Sequence, residues 1–316
     1  MICAFSFRQG TGVELDQPDL ASQDGDWSWT HLRLGDARAQ ALIRGMRDLP
    51  VEARELFLAL TTRVQIEQAD GWIYGALPDF ERDLAGKTEG EGRLLFALDA
   101  RRLITARLHP IRTTDELRRM VERRGRIGSP VEAVAELVEL YIDLVERALE
   151  ALGGHIASVE DHVLTEPANP RQSSLSATRR AVARQRRELQ ALRGALFHAH
   201  AGRHHRRVDL PGDRVADLLA WLDDADREAG ALEERGRLLH EEIDTLINAA
   251  TNRSMRTLTV ISTLLIPPTL IVGAFGMNLP GMPFEHSSLG FTAASAMCVA
   301  VVVGTLWLLR RVGMLS

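Results

Sequence analysis

Two runs without a charged side chain, residues 257–284 and 287–309, decide what kind of fold this chain can adopt. A hydrocarbon layer of about 30 Å needs about 20 helical residues. Residues 257–275 are nearly continuous apolar sequence and fit one crossing, and the second run is long enough for another. The competing reading is a pair of buried helices in a large soluble core. Length counts against it, and so do the flanking charges. Arg253 and Arg256 precede the first run, Arg310 and Arg311 follow the second, and the connecting loop has neither Lys nor Arg. The positive-inside bias then predicts both outer ends in the cytoplasm and the loop outside. No signal-peptide pattern opens the chain, because Arg8 and Asp16 interrupt its short apolar start. The expectation is a multi-pass protein of the inner or plasma membrane, with both termini and a large soluble body in the cytoplasm.

Pro267 and Pro268 interrupt the first run. Each lacks an amide donor and weakens or bends a helix. In lipid the freed carbonyls need cover from another helix or from water. Thr259, Ser262, Thr263 and Thr269 add hydroxyls to the same span. One such hairpin is a poor ion path. Several copies around an axis bury these groups and enclose a pore, which predicts a homo-oligomer.

Composition excludes other classes. The 38 Lys+Arg and 43 Asp+Glu leave a formal net charge of -5, so no nucleic-acid footprint is present. Cys3 and Cys298 are too few for a cysteine-rich zinc site, and their inferred sides of the membrane speak against a disulfide. Cys298 reads as a small packing residue. A phosphate loop, zincin motif, nucleophile elbow and redox cysteine pair are all lacking, so a membrane-anchored enzyme has no support. A membrane-tethered sensor or scaffold, working through its long helices, is the other class to weigh.

Residues 1–125 read as a mixed α/β domain. Residues 28–34 alternate, 64–77 hold Trp72, Ile73 and Tyr74, and 93–98 with 103–108 form a hairpin pattern around Asp99-Ala100-Arg101. Short helices are predicted over 38–47 and 51–60. Trp27, Trp29 and Trp72 are assigned to the core or an interface. A helical region follows over 126–212. Ser129-Pro130 makes an N-cap and first-turn pair, with Glu132 in the third position. That helix runs to about 163, Pro167 and Pro170 break it, and a second spans about 175–201.

A third helix begins near Asp213. Val215, Leu218, Leu222, Ala225, Ala229, Leu232, Leu239, Ile243, Leu246 and Ala250 recur at spacings of three and four, with a gap near Gly236. Such a stripe packs along one side. No proline lies between Asp213 and Pro267, so one helix of roughly 95 Å over 213–275 is expected to join body and bilayer. Residues 248–254 are its weakest helical stretch. The expected divisions are a stalk at 213–256, spans at 257–275 and 289–309, an external loop at 276–288 and a tail at 310–316.

At the end of the first span stands Phe275-Gly276-Met277-Asn278. In this architecture it resembles the signature of the CorA family of divalent-cation transporters. The following Leu279-Pro280-Gly281-Met282-Pro283 is similar to the ZntB branch, whose loop carries a Gly-(apolar)-Pro element. It departs from the acidic loop of magnesium-transporting members, although Glu285 is kept two residues after Pro283. The resemblance implies a CorA-like fold: an α/β cytoplasmic funnel domain, long stalk helices and a two-helix transmembrane domain. It also implies a homopentamer in which the first span of each subunit lines one central pore. The implied cargo is a divalent cation, with proton-coupled Zn2+ uptake favoured and a CorA-type Mg2+, Co2+ or Ni2+ channel as the alternative. No resident cofactor is implied.

The same resemblance assigns residue roles. Asn278 leads, as an oxygen ligand that holds a hydrated cation at the outer mouth. Gly276 permits a tight turn, Met277 packs to orient the loop, and Glu285 draws cations to the entrance. Asn252, Met255, Leu258, Ile266 and Thr269 are placed along the pore. Asn252 would meet a hydrated ion at the cytoplasmic side, Met255 and Leu258 would form an apolar collar, and Thr269 would offer oxygen deeper in. His198, His200, His204 and His205 lie close in sequence, and imidazole suits zinc. Arg203, Arg206 and Arg207 oppose cation accumulation there, so a solvated basic face is the plainer reading. His240 beside Glu241 and Glu242, and His162 beside Asp161, are weaker metal candidates.

Overall fold

The computed structural model describes residues 3–15, 25–59, 63–82, 88–123, 125–165, 172–201, 212–277 and 289–313. They fall into two compact units, residues 1–159 with 173–237, and residues 160–172 with 238–316.

The first unit is built on a seven-stranded sheet. Its strands are β1 (Cys3–Arg8), β2 (Thr11–Glu14), β3 (Trp27–Arg33), β4 (Gln65–Ala69), β5 (Trp72–Arg82), β6 (Thr88–Leu98) and β7 (Arg102–Arg107). They lie in the order β2-β1-β3-β7-β6-β5-β4, with β3 and β7 parallel and the other neighbours antiparallel. The predicted hairpin around residues 99–101 is present, pairing Leu98 with Leu103. Another hairpin turns at Asp70-Gly71, where both residues take positive φ, 49° and 80°. Such a turn matches the twist of the flanking strands, and an Asp-Gly pair suits it. β1 and β2, which the strand patterns did not include, extend the sheet beyond β3.

Helices cover both faces, so the central strands are buried on two sides. Along β6, Leu94, Phe96 and Leu98 join one apolar cluster while Leu95 and Ala97 join the other. On one side α1 (Ala37–Gly45) and α2 (Val51–Leu58) bring Ile43 and Phe57 against Leu32, Trp72 and Tyr74. On the other side lie α3 (Arg112–Glu122), α4 (Pro130–Thr165), α5 (Gln172–Ala201) and the first part of α6 (Gly212–Phe275). They pack Val121, Tyr141, Leu192 and Leu222 over a layer containing Phe5, Phe7, Trp27 and Trp29. Phe7 stacks on Trp27 at 3.8 Å and Phe5 on Trp29 at 5.5 Å. The tryptophans are core residues.

Local chemistry explains where the helices begin and meet. At the start of α4 the Ser129 hydroxyl accepts from the Glu132 amide at 3.1 Å, and Glu132 accepts from the Gly128 amide at 2.6 Å. Both bonds satisfy amides that a helix start leaves without partners. The gap in the α6 stripe at Gly236 is a close approach. A Cβ built there would stand 3.1 Å from Cγ of Arg179, so the missing side chain makes room for α5.

Asp79 is a buried acid in β5, 3% exposed. It caps α3 from another element, since Ile111 at the cap position has no acceptor side chain. The amides of Arg112 and Thr113 donate to its carboxylate at 3.3 Å, the Phe80 amide at 2.7 Å, and the Thr113 hydroxyl donates as well. Burial nevertheless pushes its pKa up to about 6. The folded state therefore holds this proton more tightly than the unfolded chain, whose aspartates titrate near about 3.9. That contribution is complete below about pH 4 and is lost as pH rises through about 6, worth about 3 kcal/mol for two pKa units. In urea titrations followed by tryptophan fluorescence, Asp79→Asn should flatten the decline in stability across this window. An unchanged slope would remove Asp79 as its source.

The second unit holds the remainder of α6 and α7 (Leu289–Arg311). Both helices contain an apolar stretch of membrane-spanning length, with 0% and 6% of its residues buried. Core helices of a soluble protein would be covered, so that reading fails. α6 continues unbroken through Pro267 and Pro268. Arg256 donates to the Gly313 carbonyl at 2.5 Å, and Cys298 Sγ lies 3.9 Å from the Pro268 carbonyl. Moving up α6 from 256 to 268 moves back through the other partner from 313 to 298, so the helices run antiparallel. Gly313 closes α7 with φ 74°, the left-handed conformation that favours glycine at helix ends.

Candidate functional site

At 100° per residue, Asn252, Met255, Leu258, Thr259, Ser262, Ile266 and Thr269 share an arc of about 120° on α6. Met255, Leu258 and Ile266 are 62%, 66% and 64% exposed. The half-buried Val260, Leu264, Pro267, Pro268, Ile271 and Phe275 occupy an arc of about 100° on the opposite side. Cys298 meets this second arc at Pro268. Ile261, Leu265 and Val272 extend the uncovered surface with apolar side chains alone. The helix therefore sorts into a covered face, an apolar flank and a stripe carrying Asn252, Thr259, Ser262 and Thr269. All five pore candidates lie on that stripe. Gly273 continues it, with nothing within 4 Å of a built Cβ, and reading by motif passed it over.

The hydroxyls answer the expectation that oligomerisation must bury them. Thr259 donates to the Met255 carbonyl at 2.8 Å and Thr269 to the Leu265 carbonyl at 2.7 Å. Their protons are satisfied inside the helix, as serine and threonine commonly achieve one turn back. What remains outward is oxygen with free lone pairs.

Gly276 and Met277 end the described part of α6. The Gly276 amide donates to Val272 at 2.9 Å, and a Cβ on Gly276 would stand 3.1 Å from that same carbonyl. Met277 is 52% exposed, with much of its side chain free of packing. Asn278 and Glu285 lie outside the described residues, as do His204 and His205.

The other metal candidates are not drawn together. Among the described residues, no three His, Cys, Asp or Glu side chains converge on a metal position. His240 Nε2 lies 3.7 Å from Asp244, one turn along the helix. Glu241 and Glu242 adjoin it in sequence but leave the helix about 100° and 200° away. Asp161 and His162 offer their backbone carbonyls to the Thr165 hydroxyl, at 2.8 and 3.2 Å. His198 packs edge-on against Phe197. The basic end of the hairpin is a second organised feature. Arg311 lies over the Trp307 ring at 5.3 Å, near the Arg256–Gly313 bond. Charge and aromatic surface together suit a membrane interface.

A helical hairpin of membrane length, carrying a polar stripe and joined to a large α/β body, defines a membrane transport protein. The family profile described as CorA-like Mg2+ transporter protein matches residues 24–311, and the chain belongs to the CorA family, which transports divalent cations rather than catalysing a reaction. It is 26% identical over 300 residues to the divalent cation transporter CmaX of Pseudomonas aeruginosa, covering 90% of this chain and 86% of the relative. It is 25% identical over 311 residues to the zinc transport protein ZntB of Klebsiella pneumoniae, covering 96% and 92%. The solved structure of full-length CmaX matches with TM-score 0.81 at 25% identity, over 98% of this chain and 97% of that one. The CorA magnesium transporter from Methanocaldococcus jannaschii shares the fold, with TM-score 0.77 at 16% identity over 99% and 98%.

Proposed function

We propose that this protein takes up Zn2+ through the central pore of a homopentamer, with proton flow coupled to metal entry. The polar stripe on α6 carries the reading. Five copies facing one axis would line a path with Asn252, Thr259, Ser262 and Thr269 while α7 faces lipid. The apolar flank of Ile261, Leu265 and Val272 would seal neighbouring copies. In this arrangement Met255 and Leu258 form the narrow collar, Ile266 spaces the polar levels, and Asn278 receives the hydrated ion beside Gly276 and Met277. Glu285 draws cations to that mouth. The arginines at 253, 256, 310 and 311 support cytoplasmic ends and an external loop over 276–288.

Zinc is favoured because likeness to the ZntB relative extends over nearly the whole chain and the 279–283 loop resembles that branch. Magnesium is the second reading, favoured by the family description and by Glu285. Both are tested by flux into sealed vesicles containing the purified protein, comparing Zn2+ with Mg2+ with and without a pH gradient. Zinc entry should rise with an inward proton gradient, and Asn278→Ala should cut it by at least about tenfold, equivalent to about 1.4 kcal/mol. Magnesium flux indifferent to pH would overturn the cation assignment and leave the family standing. No flux of either ion would favour the tethered sensor.

A further inference from the structure

One face of α7 carries a shallow groove of about 900 Å3. The small Ala296, Ala300 and Gly304 line it together with the larger Val299, Val303 and Trp307. Cys298, which meets Pro268, and the buried Leu309 mark the covered side of this helix. Val303 and Trp307 leave the helix at least about 120° from both. The groove therefore opens away from α6. From Ser295 to Trp307 it runs about 18 Å along the helix. Half of the hydrocarbon layer is about 15 Å, so the groove has the depth of one leaflet.

Positive charge stands at one end of it. Arg311 lies over the Trp307 ring at 5.3 Å, and Arg310 is exposed beside it. Arg253 and Arg256 of α6 belong to the same end of the hairpin, where Arg256 donates to the Gly313 carbonyl. Arg253 leaves α6 at the centre of its covered arc and Arg256 about 20° past the edge, so both turn toward the α7 side rather than along the polar stripe. Between residues 245 and 316 the only acidic residue is Glu285, in the segment that joins the opposite ends of the two helices. An apolar groove of leaflet depth thus leads to guanidinium groups at the membrane boundary.

We propose that this groove binds an anionic phospholipid, with one acyl chain along α7 and the phosphate at Arg310 and Arg311. Guanidinium forks match phosphate oxygens in pairs. Basic clusters at helix ends attract anionic headgroups, and a tryptophan suits the level where headgroup meets chain. A soluble polyanion would leave the groove unused. A zwitterionic lipid would bring a cation of its own to the arginines. The inference rests on the two helices crossing a membrane and does not depend on which cation is transported.

The test is fluorescence quenching of the full-length protein in vesicles of phosphatidylcholine and phosphatidylglycerol, with one of the two lipids brominated along its chains. Trp307 is the one tryptophan in the membrane-length helices, and the others belong to the first unit. The relative binding constant read at Trp307 should favour phosphatidylglycerol at least about fivefold. Arg310→Gln combined with Arg311→Gln should bring that ratio close to one. Gly304→Leu fills the groove, where nothing stands within 4 Å of a built Cβ, and should remove most of the preference with every arginine in place. Circular dichroism of these variants should match the parent. Equal quenching by the two lipids, or a preference untouched by the arginine changes, overturns the headgroup assignment. A preference kept whole in Gly304→Leu reduces the effect to diffuse surface charge and overturns the groove. An oligomer that falls apart in Gly304→Leu, read by light scattering in detergent, makes the groove a contact between copies and overturns it as well. Asn278→Ala should keep the lipid preference while its flux falls, which separates this outcome from the transport reading.

Discussion

Glu188→Ala should lower the stability of the first unit by about 1.5–3 kcal/mol, the usual worth of a hydrogen bond to a charged group. Glu188 is the lone acid on α5, and its carboxylate lies 2.7 Å from the Arg93 guanidinium on β6. The two side chains are only 18% and 13% exposed. Arg93 also donates to the Gly92 carbonyl at 2.9 Å. The pair is itself imperfect, because Glu188 Oε2 is buried without a partner. Replacing both residues, Arg93→Met with Glu188→Leu, should therefore cost far less than the single change. Urea denaturation of the three variants measures the difference. A loss below about 1 kcal/mol in Glu188→Ala would mean that solvent reaches the arginine.

Serine at both Met255 and Leu258 should raise metal flux about tenfold, through removal of about 1.4 kcal/mol of barrier. The two residues stand three apart on the exposed stripe, where the proposed apolar collar would resist wetting. Leu264 lies on the covered arc of the same helix. Leu264→Ser should loosen the hairpin without increasing flux. Fluorescent metal reporters inside vesicles distinguish the cases. Equal leak from both faces would sink the collar reading.

Features made by neighbours in sequence were legible before the fold was known. Ser129-Pro130 with Glu132 announced α4, and the apolar stripe from Val215 announced α6. The uncharged runs and their flanking arginines marked the two spans. Features made across the chain were not. β1 and β2 turn at Gln9-Gly10, which lacks the Asn-Gly or Asp-Gly signal, and β1 earns its place through β3. Asp79 caps a helix that starts 33 residues later, so no local motif contains the cap. His240 and its neighbouring glutamates show the converse, since adjacency along the chain is divergence around a helix. The pore candidates share one stripe because helical spacing alone fixes it. In the proposed pentamer the groups facing them would belong to other copies, and the Asn278 loop lies outside the described residues.

The bonds that tie Thr259 and Thr269 back to Met255 and Leu265 give the stripe a chemical polarity. A free hydroxyl can turn its proton toward an anion or its oxygen toward a cation. With the proton held by the helix, only the second orientation remains. At these two levels the stripe then behaves like carbonyls, accepting from water or from an ion's hydration shell. In the proposed pore, two such levels would favour cations without a formal charge in the bilayer, and so avoid the cost of burying one.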